Sequence, residues 1–238
     1  MLESLIGAGA AAFVCAAGYQ TMSPTGQWYG RNFVRLPPGA RQIALTYDDG
    51  PNDPHTLRLL EVLAKHNARA TFFLIGAFVE QRPEIVREVV NAGHAIGNHT
   101  FTHPNLIFVS ATETHSQLER CQQAVAKATG QAPRLFRPPF GGRRPGTFQI
   151  ARSLGLEPIM WSVTGFDWNA PPAERIVKRV AENTRGGDVI LLHDGSHLGM
   201  GGDRAQTVLA TDELLTRFKL EGRDFATIPE MMSGKMMI

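Results

Sequence analysis

Along this chain, short apolar runs alternate with longer stretches in which apolar residues recur every three or four positions. Residues 42–47 (QIALTY) are apolar and bounded by turn formers, the signature of a buried strand. Asp53 and Pro54 read as the N-cap and first position of a helix, which carries Leu57, Leu60 and Leu63 at helical spacing. Residues 70–76 (ATFFLIG) predict a second strand, and residues 82–93 a helix with Gly93 as its C-terminal stop. Residues 94–99 (HAIGNH) predict a short third strand. Ser110 and Glu113 have the spacing of a capping box and open a long helix ending near Gly130. The pattern then repeats, with strands at 134–137, 158–163, 188–193 and 225–228, and helices at about 147–154, 173–184 and 204–222.

Strands alternating with helices of this length indicate an α/β fold built on a parallel sheet. Seven candidate strands fit either a (β/α) barrel or a doubly wound sheet. No composition break divides the chain, so the expectation is one domain over residues 39–238. An apolar segment and lead-in, residues 1–38, precede it. Residues 5–18 of that segment are apolar but fewer than the ~20 a spanning helix needs. Glu3 stands before them where a secretory signal would have a basic residue. A weak signal or anchor and a helix packed on the domain both remain open, and membrane contact is expected only if the segment is an anchor.

Composition narrows the function. A net charge of +2 over 238 residues is too small to imply a nucleic-acid partner. Cys15 and Cys121 form neither a disulfide framework nor a metal-binding pair and read as idle thiols.

The reactive side chains fall at one kind of position. Asp48 and Asp49 follow the first strand, His99 and His103 the third, and Arg137 ends the fourth. Asp167 lies just past the fifth, and His193 and Asp194 end the sixth. All are carboxyl ends of strands, which in a parallel barrel share the face where active sites are built. His99 and His103 are four apart, one helical turn, so both imidazoles can reach one cation. With a nearby Asp they make a three-ligand site suited to Zn²⁺ or another divalent transition metal. If one carboxylate of the Asp48–Asp49 pair binds the cation, the other is free to act as general base on water. The bland alternative is helix capping by Asp49 and a solvated Asp48.

Residues 134–142 (RLFRPPFGG) make a stiff loop in which Arg137 could orient a carboxylate and a backbone N–H could face an oxyanion. Alone, the loop reads equally well as structural. His193, at the end of a buried strand, is the natural general acid. Asp167 could partner it, and Trp168 is either an apolar wall for a ring or core. His55, His66 and His115 fall in or at the start of helices and read as surface residues, while His94 and His197 receive no role.

Taken in order, these motifs resemble the polysaccharide deacetylase family, carbohydrate esterase family four. They stand as Thr46-Tyr47-Asp48-Asp49-Gly50, His99-Thr100-Phe101-Thr102-His103, Arg137-Pro138-Pro139-Phe140-Gly141, Thr164-Gly165-Phe166-Asp167-Trp168 and Leu191-Leu192-His193. Thr164 departs from the Asp the family often has there, and Tyr47 replaces Phe. The resemblance covers roughly residues 40–230 and implies a deformed (β/α) barrel that removes N- or O-acetyl groups from a polysaccharide. It implies Asp49, His99 and His103 as metal ligands and Asp48 as base, oriented by Arg137. It further implies His193 as acid, tuned by Asp167, with the Phe140 N–H at the oxyanion and Leu191 beside the acetyl methyl. The expected partner is an acetylated glycan such as chitin or peptidoglycan, and the expected location the cell envelope or outside the cell, with the cytoplasm left open. A small-molecule amide hydrolase, a non-catalytic glycan-binding homologue and a non-haem iron oxygenase are the competing readings.

Overall fold

The structure, a computed structural model, describes residues 2–234. Helix α1 (Leu2–Met22) comes first, followed by β1 (Gln42–Gly50), α2 (His55–Lys65), β2 (Thr71–Leu74), α3 (Gly76–Gln81), α4 (Pro83–Asn91) and β3 (Ala95–Asn98). The second half holds α5 (Ala111–Thr129), β4 (Leu135–Phe136), α6 (Thr147–Ser153), β5 (Glu157–Pro158) and β6 (Val163–Thr164). It ends with α7 (Ala173–Asn183), β7 (Val189–His193), α8 (Ala205–Leu220), β8 (Asp224–Phe225) and α9 (Ile228–Gly234).

The strands pair in the order β5-β4-β3-β2-β1-β7-β6, all parallel, and β8 joins the start of β1. The sheet curls into a half-barrel within a single α/β domain, the deformed (β/α) barrel expected. Central β1 is buried on both faces, as a covered parallel strand must be. Ile43, Leu45 and Tyr47 pack outward against apolar residues of α2 and α8, including Leu59, Leu63, Leu214 and Phe218. Ala44 turns the other way, into a cluster with Phe73, Ile159, Val189 and Ile228. Thr46 and Asp48 share the parity of Ala44, so alternation aims them inward.

Four local readings of the sequence are corrected. The single strand expected at 158–163 is two short ones. β5 pairs with β4 and β6 with β7, so this stretch leaves one edge of the curled sheet and joins the other. The lead-in supports the crossing, since the Phe33 N–H donates to the Pro158 carbonyl and the Met160 N–H to that of Phe33. The strand expected at 225–228 is cut short because Thr227 and Glu230 cap α9, with the Thr227 N–H donating to Glu230 Oε2 at 2.8 Å. Asp53 does not cap α2; Pro54 holds the N-cap position, and Asp53 pairs with Arg82 Nη1 at 2.5 Å. His55 and His66 are buried, not surface, facing Asp203 and Asp212 respectively, while His115 is exposed as expected. The Ser110 cap on α5 is present, with its hydroxyl accepting from the Glu113 N–H at 3.0 Å. Both cysteines are free.

The residues following α1 dock on the domain through Arg143. Its guanidinium donates to the carbonyls of Ser23 (2.6 Å), Gly26 (3.0 Å) and Gly141 (3.0 Å). Among the described residues, no helix is long and apolar enough to cross a membrane.

Candidate active site

The carboxyl ends of β1, β3, β4 and β7 converge on a cavity of about 400 Å³. Neighbouring side chains of a regular strand point to opposite faces, so Asp49 should follow Tyr47 outward. It does not. Asp49 has φ 74, and the pairing of β1 with β2 slips between Asp48 and Gly50, forming a bulge. Both carboxylates consequently line the one cavity.

Asp49 Oδ1 lies 3.2 Å from His103 Nε2 and 3.5 Å from His99 Nε2. It is buried with no hydrogen-bond donor satisfying it. Burial opposes its charge, but the imidazoles of His103, His197 and His99 together hold its carboxyl well below the usual carboxylate range. His99 Nδ1 is 2.8 Å from the Arg137 carbonyl, which can only accept, so Nδ1 donates there and Nε2 is the nitrogen left facing Asp49. Burial also pushes His103 below the ordinary imidazole value, against the pull of Asp49, which favours its neutral form. An ionised carboxylate oxygen and two imidazole nitrogens, all within 4.8 Å of one another, form a donor set that fits a divalent transition cation.

The two histidines do not converge by lying on one helical turn, as their spacing suggested. They sit in a bent loop in which Thr100 (φ 68) and His103 (φ 59) are left-handed. The Thr100 N–H donates to Asn98 Oδ1 at 2.8 Å, and the His103 N–H to Thr100 Oγ1 at 3.0 Å. Such strained backbone persists where surrounding bonds over-determine it, commonly at functional sites.

Asp48 is held differently. Arg137, fully buried, donates from Nη1 to Asp48 Oδ1 at 2.7 Å and to Thr46 Oγ1 at 2.8 Å. Its Nη2 donates to the Met160 carbonyl at 3.1 Å, and its guanidinium lies 4.1 Å from the centre of the Phe73 ring. One Asp48 oxygen is thus committed to Arg137, while Oδ2 stays 3.7 Å from His99 Nε2.

His193 is the register partner of Asp48 on the adjacent strand β7. Its Nδ1 is 2.9 Å from Asp167 Oδ1, and its main-chain N–H donates to Asp167 Oδ2 at 2.8 Å. Thr207 Oγ1 also donates to Asp167 Oδ2, at 2.9 Å. Burial opposes the imidazolium, yet the charge and hydrogen bond of Asp167, with Asp48 and Asp49 adding, raise His193 to about 9. Trp168 stands edge-on to the His193 ring, with centroids 5.6 Å apart. Leu191 and Phe140 line the same cavity, and Phe140 holds a left-handed φ of 58 in its turn. Every residue singled out for a role is therefore brought to this cavity or placed directly behind it.

Asp194 is not. Although it follows His193, its buried carboxyl accepts from Thr56 Oγ1 at 2.5 Å. Burial pushes it up to about 7, Asp49 and Asp48 add to the rise, and the Thr56 bond only partly opposes it. Sequence reasoning also missed Trp161, Asn169, Ser196, His197, Leu198 and Arg204, which line the cavity. The signal for His197 was present: it lies in the glycine-rich loop directly after a strand end.

Known proteins resemble this chain in sequence and in fold. The sequence profile of the family described as polysaccharide deacetylase matches residues 35–159. A peptidoglycan-N-acetylglucosamine deacetylase of Bacillus cereus is 37% identical over 190 residues, 80% of this chain and 68% of that protein. A chitooligosaccharide deacetylase of Azorhizobium caulinodans is 37% identical over 203 residues, 82% of this chain and 96% of that one. The crystal structure of a peptidoglycan N-acetylglucosamine deacetylase in complex with 4-naphthalen-1-yl-N-oxidanyl-benzamide has a TM-score of 0.78 and 36% identity. That match covers 84% of this chain and 92% of the other.

Proposed function

This chain belongs to the polysaccharide deacetylase family and is an enzyme that deacetylates glycans, and we propose that it hydrolyses N-acetyl groups on a polysaccharide or oligosaccharide such as peptidoglycan or chitin, with O-acetyl groups as a secondary target. The observation that carries this reading is the pairing of Asp48 with His193. A carboxylate oriented by Arg137 and an imidazole oriented by Asp167 stand in register on adjacent strands, beside the Asp49–His99–His103 donor set. A substrate of this kind suits work at the cell envelope or outside the cell. The catalytic domain is residues 39–238, with 1–38 as its lead-in.

Asp49, His99 and His103 would hold Zn²⁺ or another divalent transition metal, which when bound supplies Lewis-acid polarisation of the acetyl carbonyl. The chain's own residues supply the rest. Asp48 accepts a proton from the attacking water through the carboxylate oxygen that Arg137 leaves free. The Phe140 main-chain N–H donates to the oxygen that becomes negative as the carbonyl carbon turns tetrahedral. His193, its Nδ1 committed to Asp167, presents Nε2 to the leaving nitrogen and protonates it, so that the sugar departs as an amine. Leu191 provides an apolar surface for the acetyl methyl, and Trp168 one for a sugar ring.

The same donor set occurs in non-haem iron oxygenases, but family membership and the second carboxylate favour hydrolysis. A non-catalytic homologue should lack the base or the acid, and both are present here. The test is acetate release from a panel of acetylated chito-oligomers, peptidoglycan and acetylated xylan, with and without added Zn²⁺. Release from at least one glycan, abolished by chelation and restored by Zn²⁺, is expected. No release from any of them, or full turnover by the metal-stripped enzyme, overturns the reading.

A further inference from the structure

We propose that His197 is a positioning residue for the Asp49 carboxylate, holding Oδ2 so that Oδ1 stays turned toward the cation; this rests on the metal-centre reading above. The two oxygens of Asp49 face different groups. Oδ1 is turned to the Nε2 atoms of His99 and His103, whereas Oδ2 lies 3.8 Å from His197 Nδ1. That separation exceeds a hydrogen bond, and a small rotation of either side chain closes it. The His197 ring is already placed, stacked on His103 with centroids 4.7 Å apart and planes at 22°. Phe140 meets it edge-on from the other side, at 5.1 Å.

The loop that carries His197 is fixed at its base. Buried Asn52, three residues after Asp49, donates from Nδ2 to the carbonyls of Asp194 and Gly202, each at 2.9 Å. Its Oδ1 accepts from the Gly201 N–H at 2.7 Å. Arg204 Nε donates to the Gly195 carbonyl at 2.7 Å. Gly195 presses so closely on the strand that a Cβ there would come within 2.1 Å of the Asp49 carbonyl oxygen. One polar side chain thus ties together the turn after Asp49 and the loop bearing His197, and their relative position is set without the cation.

The geometry favours an outer partner over a fourth ligand, because the nitrogens of His197 fall outside the set of donor atoms that lie within 4.8 Å of one another. A donor on the unligated oxygen fixes the orientation of the ligating one, and loss of such a partner typically weakens metal binding 10–100-fold.

The test uses the full chain and two variants, His197→Ala and His197→Gln, compared by Zn²⁺ competition against a chromophoric chelator and by the visible absorption of the Co²⁺-loaded proteins. His197→Ala should bind Zn²⁺ about 10–100-fold more weakly while its Co²⁺ bands keep their position and intensity. His197→Gln, which retains a donor, should recover part of the affinity. Unchanged Zn²⁺ affinity in His197→Ala overturns the proposal, as does a Co²⁺ spectrum altered by loss of a direct ligand. Wild-type protein that binds neither ion would instead bring down the metal-centre reading itself, and this proposal with it.

Discussion

Arg137 and Asp48 form a buried ion pair, with Nη1 2.7 Å from Oδ1, at the centre of the curled sheet. The same guanidinium reaches Thr46 and the Met160 carbonyl, so it ties β1 to the crossing between the sheet edges while orienting the carboxylate. Arg137→Ala leaves that carboxylate buried without its partner and should cost about 3–5 kcal/mol of stability. Arg137→Lys keeps a charge but not the planar fork, and should fold with kcat reduced at least about tenfold. Thermal denaturation and acetate release measure the two. An Arg137→Lys enzyme with wild-type kcat would show that orientation of Asp48 is unimportant.

Asp48→Asn separates the base from the donor set. The amide oxygen of the variant side chain can still accept from Arg137, and Asp49, His99 and His103 are untouched. Zn²⁺ affinity should stay within a few-fold of wild type, while kcat falls about 10²-fold or more, the usual size of a general-base contribution. Full activity in this variant would remove Asp48 as the base.

The His193–Asp167 pair sets the alkaline limb of the pH profile. His193 must carry its proton to act as acid, and Asp167 raises it to about 9 against the opposing effect of burial. Activity should therefore hold through neutral pH and fall as pH rises through about 9, giving with the base a bell-shaped profile. Asp167→Asn removes the charge, and the alkaline limb should move toward or below the ordinary imidazole value of about 6.5. The sign for stability is the same: the pair's contribution is complete below about 6.5 and is lost as pH rises through about 9. A kcat/KM profile whose alkaline limb is identical in Asp167→Asn and wild type would contradict the assignment.

Much of this site was legible because it obeys one rule: polar residues at the carboxyl ends of parallel strands share a face. Asp48, Arg137 and His193 needed nothing more. Asp49 needed a bulge and a left-handed φ of 74 to leave the outward face, and alternation alone assigns it the wrong direction. His99 and His103 were paired correctly by their spacing, but a bent loop and not a helical turn brings them together. His197 was missed because a loop's path depends on contacts distant in sequence, here Asn52 and Arg204. His55 and His66 were misplaced because a helical pattern marks its apolar face without saying which polar residue is covered at the margin. The docking of residues 21–26 rests on main-chain carbonyls held by Arg143, and carbonyls leave no mark in a sequence.

Asp194 yields a prediction separable from catalysis. Its carboxyl is buried, bonded to Thr56, and pushed up to about 7, so at low pH it is neutral in the fold. Its Oδ1 is buried without a partner, which makes the charged form costly. A raised carboxyl stabilises the fold fully below its unfolded value of about 3.9, and that contribution is lost as pH rises through about 7. Asp194→Asn mimics the neutral acid at every pH, since its amide oxygen can still accept from Thr56. Its Tm relative to wild type should therefore climb between pH 5 and pH 8, whatever the offset at pH 5. Gln or Glu at this position would not serve, because there is no room; even a Cβ on Gly50 would lie 2.2 Å from Asp194 Oδ2. A Tm difference that stays constant across that pH range would mean Asp194 is ionised in the folded protein throughout, stabilised by a donor beyond Thr56.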